Sequence, residues 1–323
     1  MIESRRLQRT YHTRSGEVEA VRGVDFVVDG GEIVGFLGPN GAGKTTTLRM
    51  LTTLLDPTGG EATVAGHDLR QDPVGVRRHI GYVAQGGSTE PEARAGEEIV
   101  DHARMYGIDI PTARHRGQDL FEQLDLEGMW ERRCKTLSGG QRRRLDIAMG
   151  LIHQPPLVFL DEPSTGLDPQ SRANLWMHIG RLRDELETTV FLTTHYMDEA
   201  DLLCDRILVI DHGEIVARGT PDELKRSVAG DSVALRFAHP DSAHLAAEIA
   251  SHIDQASTPV VEDAEVRFQV ADGSGVLPGL LRALVERDLD ALGVEVHRPT
   301  LDDVFLTMTG RSLREGTPSP AAT

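Results

Sequence analysis

The stretch Gly38-Pro39-Asn40-Gly41-Ala42-Gly43-Lys44-Thr45-Thr46 constrains this chain more than any other. It has the spacing G-x-x-x-x-G-K-T. The apolar run Ile33-Val34-Gly35-Phe36-Leu37 before it reads as a buried strand, and Thr46-Thr47-Leu48-Arg49-Met50-Leu51 after it reads as a helix. Strand, glycine loop and helix in that order separate a phosphate-binding loop from a chance match in a glycine-rich chain. The glycines let backbone N–H groups approach phosphate oxygens without a Cβ in the way. Those N–H groups and the helix start form a positive concavity for anions. In that frame Lys44 is expected to reach the β- and γ-phosphates, and the Thr45 hydroxyl to hold Mg²⁺.

The chain has 323 residues, enough for one large domain and a smaller one. A formal net charge of −17 argues against a nucleic-acid partner, whose phosphates it would repel. No apolar run approaches the length that spans a bilayer, and Met1-Ile2-Glu3-Ser4-Arg5-Arg6 has no apolar signal region behind its charges. A cytosolic protein is expected, with any membrane role supplied by another subunit. Cys134 and Cys204 lack metal-ligand spacing and are expected to stay reduced as small apolar fillers.

Along the first part of the chain the pattern alternates between strands and helices. Residues 18–21 and 24–28 read as strands, as do 61–66 and 80–85, the last ending on Gln85. From Glu97 to Cys134 the period turns helical, with Leu120, Phe121, Leu124 and Met129-Trp130 as apolar stripes. A further helix follows Leu137-Ser138-Gly139-Gly140-Gln141. Arg142, Arg143 and Arg144 near its start read as a solvated face. Leu157-Val158-Phe159-Leu160 is wholly apolar and predicts a central parallel strand. A helix over 171–186, a strand over 189–194 and a hairpin over 207–217 complete an α/β domain with a mostly parallel core sheet, an antiparallel sheet at its N-terminus and a helical subdomain over about 86–150. That domain is expected over 1–229. Residues 230–310 read as a small α+β domain, auxiliary to the chemistry. It closes on a helix with the apolar stripe Leu301, Val304, Phe305 and Met308 behind the cap Thr300. Residues 311–323 read as a disordered tail.

Asp161 and Glu162 end the apolar strand. Strands this apolar seldom end in paired carboxylates without a cation nearby, because a buried charge is costly. If the strand stays extended, the two side chains point to opposite sides. Asp161 then holds Mg²⁺ while Glu162 polarises the attacking water. His195 stands at the end of the strand over 189–194, where open α/β sheets bind ligands.

With these residues in view, the chain is identified as a member of the ATP-binding subunits of ATP-binding-cassette transporters. The resemblance covers residues 1 to about 226. GPNGAGKTT resembles the family's Walker A loop, Gln85 its Q-loop, LSGGQ at 137–141 its signature, LVFLDEP at 157–163 its Walker B strand, Asp168 its D-loop and His195 its switch histidine. The resemblance implies that Tyr11 stacks on adenine and that Gln85 joins Thr45 and Asp161 at Mg²⁺. It further implies a homodimer that sandwiches two ATP molecules head to tail. Ser138, Gly139, Gly140 and Gln141 of one copy would then face the γ-phosphate held by Lys44 of the other. LSGGQRRRLDIA, TTHYMDEAD and TLDDVFLTMTG are more narrowly similar to daunorubicin-resistance-type exporter ATPases. For those, the implied role is a peripheral ATPase on the cytoplasmic face of the cell membrane. A separate permease would handle the small-molecule cargo. Residues 86–98 depart from the family pattern in the segment expected to face that permease.

A soluble cassette ATPase working in translation or DNA maintenance is the alternative. Such proteins usually carry tandem cassettes or a long coiled coil, whereas this chain has one set of motifs, no heptad run and a strongly acidic balance. A regulatory module with dead chemistry is disfavoured by the presence of Gln85, Glu162 and His195.

Overall fold

The computed structural model describes residues 1–309 except Ser15, Ala229 and Gln255; the tail expected over 311–323 lies outside the described residues. Among the described residues two compact units emerge, Met1–Pro221 and the stretch from Asp222 to Thr309.

The first unit opens with a long hairpin, β1 (Ile2–Thr13) and β2 (Gly16–Val28). β3 (Ile33–Leu37) runs into the glycine loop and α1 (Lys44–Leu51). β4 (Gly59–Val64) and the short β5 (His67–Asp68) join the hairpin in an antiparallel sheet ordered β2-β1-β4-β5. Next come α2 (Pro73–Arg78), β6 (Ile80–Val83), α3 (Ala95–Met105), α4 (Ile110–Gln123) and α5 (Gly139–Leu151). β7 (Leu157–Asp161), α6 (Pro169–Leu186), β8 (Thr189–Thr194), α7 (Met197–Leu203), β9 (Arg206–Asp211) and β10 (Glu214–Gly219) complete the unit.

The core sheet runs β10-β9-β3-β8-β7-β6. Every pair is parallel except the β9–β10 hairpin at its edge. Residues of β3, β7 and β8 are buried on both faces, as continuous apolar runs demand. An aromatic cluster binds this sheet to the antiparallel one. Phe26 of β2 lies 6.0 Å from Phe36 and 5.9 Å from Phe191, and Phe159 lies 5.6 Å from Phe191. Such offset ring pairs add to the area they bury. All parallel strands therefore present their carboxyl ends to one side, which is where a ligand site belongs.

Helical structure is shorter than the period suggested. α4 ends at Gln123, and residues 124–133 are turns rather than helix. The reason is local. Asp125 and Gly128 adopt left-handed backbone, and the Trp130 carbonyl accepts from Gly96 N–H at 2.9 Å. The turn folds the Trp130 ring back against α3 and α4, where it lies 5.0 Å from Phe121. The apolar residues 129–130 cap this small core from a loop, so they carried no helical meaning. Cys134 and Cys204 are both free and buried. Burial pushes the Cys134 thiol up to about 11.

Where α3 ends, Tyr106 stacks on His153 with ring centroids 3.7 Å apart. Burial lowers His153 to about 4, although its Nε2 sits 3.0 Å from the Ile80 carbonyl oxygen. An unfolded imidazole takes up its proton near 6.5, so the contribution of this site is complete above that pH and is lost as pH falls toward 4. A His153→Gln chain is expected to lose less stability over that window than the parent, by up to about 3 kcal/mol. Urea unfolding of both proteins at several pH values measures this. Parallel losses in the two would refute it.

The second unit begins in α8 (Pro221–Val228) and continues through β11 (Asp231–Arg236), α9 (Pro240–Ala250), β12 (Val260–Glu262), β13 (Glu265–Val270), α10 (Gly273–Glu286), β14 (Gly293–His297) and α11 (Leu301–Thr309). Its sheet is antiparallel, ordered β12-β13-β11-β14. Val233, Leu235, Val266 and Phe268 face Ala243, Ala246, Leu280 and Leu284 in one apolar core. Thr300 caps α11, its Oγ1 accepting from Asp303 N–H at 3.3 Å. Leu301, Val304 and Phe305 are buried, whereas Met308 is exposed and does not extend their stripe.

Candidate functional site

The glycine loop leaves β3 and closes on α1 with left-handed backbone at Gly43, φ 107°. A Cβ at Gly43 would stand 2.5 Å from the Ala20 carbonyl oxygen, so only glycine fits there. The loop is pinned from outside. Gly38 N–H donates to the Thr194 carbonyl at 3.3 Å, and Gly213 N–H, from the β9–β10 turn, donates to the Ala42 carbonyl at 3.0 Å. The loop faces a cavity of about 360 Å³ lined by Asn40, Gly41, Gly43, Lys44, Thr45 and Thr46, with Gln85 and Glu162 opposite and Ala20 at one side. Gly38, Pro39 and Ala42 shape the loop without lining that space. Larger clefts of about 480 Å³ beside Arg116 and about 900 Å³ beside Arg298 have no glycine loop at a helix start.

Lys44 is buried. Its Nζ donates to the carbonyls of Gly38 at 2.8 Å and Pro39 at 3.1 Å and lies 3.3 Å from Glu162 Oε1. Burial lowers its pKa against the opposing pull of Glu162 and Asp161. Burial alone would raise Glu162. His195 and Lys44 outweigh it and hold the carboxyl down to about 2, so Glu162 is ionised at neutral pH. Glu162 Oε2 also accepts from Gln85 Nε2 at 2.9 Å and from Thr165 Oγ1 at 3.1 Å. His195 Nδ1 stands 3.3 Å from the same oxygen, out of line for a hydrogen bond.

Asp161 faces differently. Its Oδ1 accepts from Thr45 Oγ1 at 3.2 Å and Thr193 Oγ1 at 2.6 Å. The two carboxylates do diverge, but the reason differs from the one the sequence suggested. β7 ends at Asp161, and Glu162 leaves the extended region for left-handed backbone with φ 44°. Its N–H is held by Thr193 Oγ1 at 3.0 Å. A side chain other than glycine in this conformation is strained, and such strain persists where surrounding contacts enforce it.

Lys44, Thr45, Gln85, Asp161, Glu162 and His195 are thus gathered at the carboxyl ends of β3, β6, β7 and β8. Tyr11 lies on β1, paired with Val18, with the Arg9 guanidinium 4.7 Å over its ring, and does not line the phosphate cavity. Ser138 caps α5 through a reciprocal pair with Gln141, at 3.2 and 3.0 Å. None of residues 138–141 lines the cavity of its own chain. Asp168 caps α6, accepting from Ser171 N–H at 2.9 Å.

Three features escaped the sequence. Of the arginine run only Arg142 is exposed, since Arg143 is 7% exposed and donates to three main-chain carbonyls while Arg144 donates to the Leu124 carbonyl at 2.9 Å. The helical stripe Gly140, Ile147, Gly150 passes through position 143, and that stripe was the available signal. Thr193, a polar residue late in an apolar strand, donates its hydroxyl to the Asp161 carboxylate and accepts from the Glu162 N–H. Ser164 and Glu199 meet in a buried contact that Trp176 Nε1 joins at 2.8 Å from Ser164 Oγ, which nothing local announced.

The chain is similar to known proteins along most of its length. The ABC transporter family matches residues 21–165, and the family of ATP-binding protein DrrA1-3-like C-terminal domains matches residues 219–309. The daunorubicin/doxorubicin resistance ATP-binding protein DrrA of Streptomyces peucetius is 41% identical, over 99% of this chain and 96% of its own length. The daunorubicin resistance ATP-binding protein DrrA3 of Streptomyces coeruleorubidus is 41% identical, over 93% and 94%. Among solved structures, a dimeric ATP-binding cassette in a post-hydrolysis state with ADP and Pi superposes with a TM-score of 0.63. It is 26% identical and covers 68% of this chain and 98% of its own.

Proposed function

We propose a role that proceeds from one fact: this chain belongs to the ABC transporter family, as an ATP-hydrolysing subunit. Cassettes of this family dimerise and pair with a membrane permease. Among the described residues no helix is long and apolar enough to cross a membrane, so the passage itself falls to the permease. The chain, in our reading, sits peripherally on the cytoplasmic face and powers export of a small hydrophobic compound of the daunorubicin kind. The single observation that carries this reading is the convergence of Lys44, Thr45 and Glu162 on the cavity at the glycine loop, with Asp161 bonded to the Thr45 hydroxyl behind it.

The chemistry follows from the donors present. Lys44 exchanges the carbonyls of its own loop for the β- and γ-phosphate oxygens, and the loop N–H groups hold the rest. Thr45 and Asp161 offer hard oxygens to Mg²⁺, and Gln85 adds an amide; the ion neutralises phosphate charge when bound. Once Lys44 leaves it, Glu162 keeps its charge and orients the attacking water, accepting its proton. His195 steadies Glu162 from the far side. Ser138, Gly139, Gly140 and Gln141 act on the γ-phosphate of the partner copy, which accords with their distance from their own cavity. Asp168 stays at the dimer face as a cap. Tyr11 meets the adenine with the ring face that Arg9 does not cover. The segment over 86–98, which runs into α3, is tied to residues 133–135 by Glu92, which pairs with Arg133 at 2.9 Å and Lys135 at 2.7 Å, and we assign its outer face to the permease.

Cells holding the chain and its permease are expected to retain less daunorubicin than cells lacking both, and Lys44→Ala should abolish the difference. Membrane pull-downs should recover an integral membrane protein with the chain. Equal retention in all strains, with no membrane protein recovered, would return the reading to a soluble cassette ATPase.

A further inference from the structure

Arg143 is an unusual residue to find inside a helix–sheet contact. Its Nε donates to the Pro163 carbonyl at 2.9 Å, its Nη2 to the Asp161 carbonyl at 3.0 Å, and its Nη1 to the Ala84 carbonyl. Among the described residues no carboxylate takes a hydrogen bond from it. A guanidinium this buried survives only when its fixed fork of donors is matched, and here the match is three backbone oxygens from two separate strand ends. One helical turn on, Asp146 is 5% exposed and accepts from Ser88 N–H at 3.0 Å and Ser88 Oγ at 3.3 Å. Positions 143 and 146 share one face of α5. Together they hold the loop after β6 at Ala84 and at Ser88.

Gln85 lies between those two anchors. Its neighbours Gly86 and Gly87 impose little conformation of their own, and within the segment the backbone bond is Gly87 N–H to the Ala84 carbonyl at 3.3 Å. The reach of Gln85 to Glu162 is therefore set by α5. The same helix begins at Ser138. A residue at its N-terminus that engages a ligand outside its own chain, and side chains along its length that grip the Gln85 loop, the Asp161 carbonyl and the Pro163 carbonyl, make α5 a rigid lever between two sites.

We propose that Arg143 and Asp146 are positioning residues that bracket Gln85 and transmit occupancy at Ser138 to the Gln85–Glu162 contact of the same chain. The proposal rests on the reading of Gln85, Glu162 and Ser138 given above. Neither residue lines the cavity at the glycine loop. Their loss therefore moves turnover and coupling and spares binding.

The test compares the full-length parent with Arg143→Gln, Asp146→Ala, Asp146→Asn and Glu162→Gln. Asn keeps an oxygen for the Ser88 N–H; Ala does not. Arg143→Gln and Asp146→Ala are expected to lower kcat roughly 10–100-fold, the scale on which misplaced groups act. MgATP affinity should stay within about two-fold and the Hill coefficient for ATP should fall toward one, since only the link between sites is cut. The Ser88 amide should exchange its hydrogen faster in Asp146→Ala. Asp146→Asn should stay near the parent in every readout. If Arg143→Gln does not fold, the Asp146 pair alone decides. Folded bracket variants with parental kcat and Hill coefficient, beside a slow Glu162→Gln, overturn the bracket only. A fast Glu162→Gln overturns the site reading and the bracket with it.

Discussion

Glu162→Gln is expected to bind MgATP about as well as the parent and to hydrolyse it some 10²–10⁴-fold more slowly, the usual worth of a positioned general base. Gln keeps the length and volume of the side chain at a position whose left-handed backbone is held by Thr193. It removes the charge that Lys44 and His195 converge on. In the free protein that charge holds Lys44 3.3 Å away and helps keep it curled onto its own loop. Nucleotide must win Lys44 from Glu162, so the neutral variant should bind no worse and can bind tighter. With hydrolysis blocked, ATP persists between the copies and the variant should elute from gel filtration as a dimer in ATP and as a monomer without it. Near-normal turnover would refute the assignment of the base and move attention to His195.

The second large effect concerns the partner copy. Lys44→Ala removes the ammonium that meets the phosphates in one cavity. Ser138→Arg leaves the chain's own cavity untouched, because residue 138 does not line it, yet should silence the partner's site by placing a bulky cation at the start of α5. Each variant alone should lose most of its ATPase activity, since one missing phosphate-binding donor alone can cost on the order of 10²–10³ in rate. Mixed, the two form a heterodimer with at most one intact composite site, and part of the activity should return. Full activity in Ser138→Arg alone would remove the trans assignment.

How much of this was readable varies with how local each feature is. The glycine loop, β3 and β7 were legible because motif and flanking pattern are contiguous, and a wholly apolar run ending in two acids permits few placements. Gln85, Ser138 and His195 were legible through the order of motifs. The backbone turn at Glu162 was not, since it depends on Thr193 from a neighbouring strand. Arg143 was misread for the same reason: its three acceptors come from residues 84, 161 and 163, and a charged side chain is otherwise assigned to water. Residues 124–133 misled because Trp130 fills a core from a loop, and composition cannot tell that from a helix face. β12 escaped notice because three residues, two of them exposed, give no period to detect.

The sheet order bears on how the protein is born. β3 has no neighbour that precedes it in the chain: Ile33 pairs with Val190 on one side and Val34 with Arg206 on the other. The loop that follows is pinned by Thr194 and Gly213. During synthesis at about 5–20 residues per second, the glycine loop therefore emerges and waits on the order of ten seconds or more for its supports to leave the ribosome. Until then β3 is an apolar strand with both edges open, a template for wrong pairing. The early hairpin β1–β2 closes on itself at once and offers Phe26 as a temporary cover. Nascent chains halted before β8 should thus expose the loop to protease, while those released beyond Gly213 gain nucleotide binding and protection in a single step.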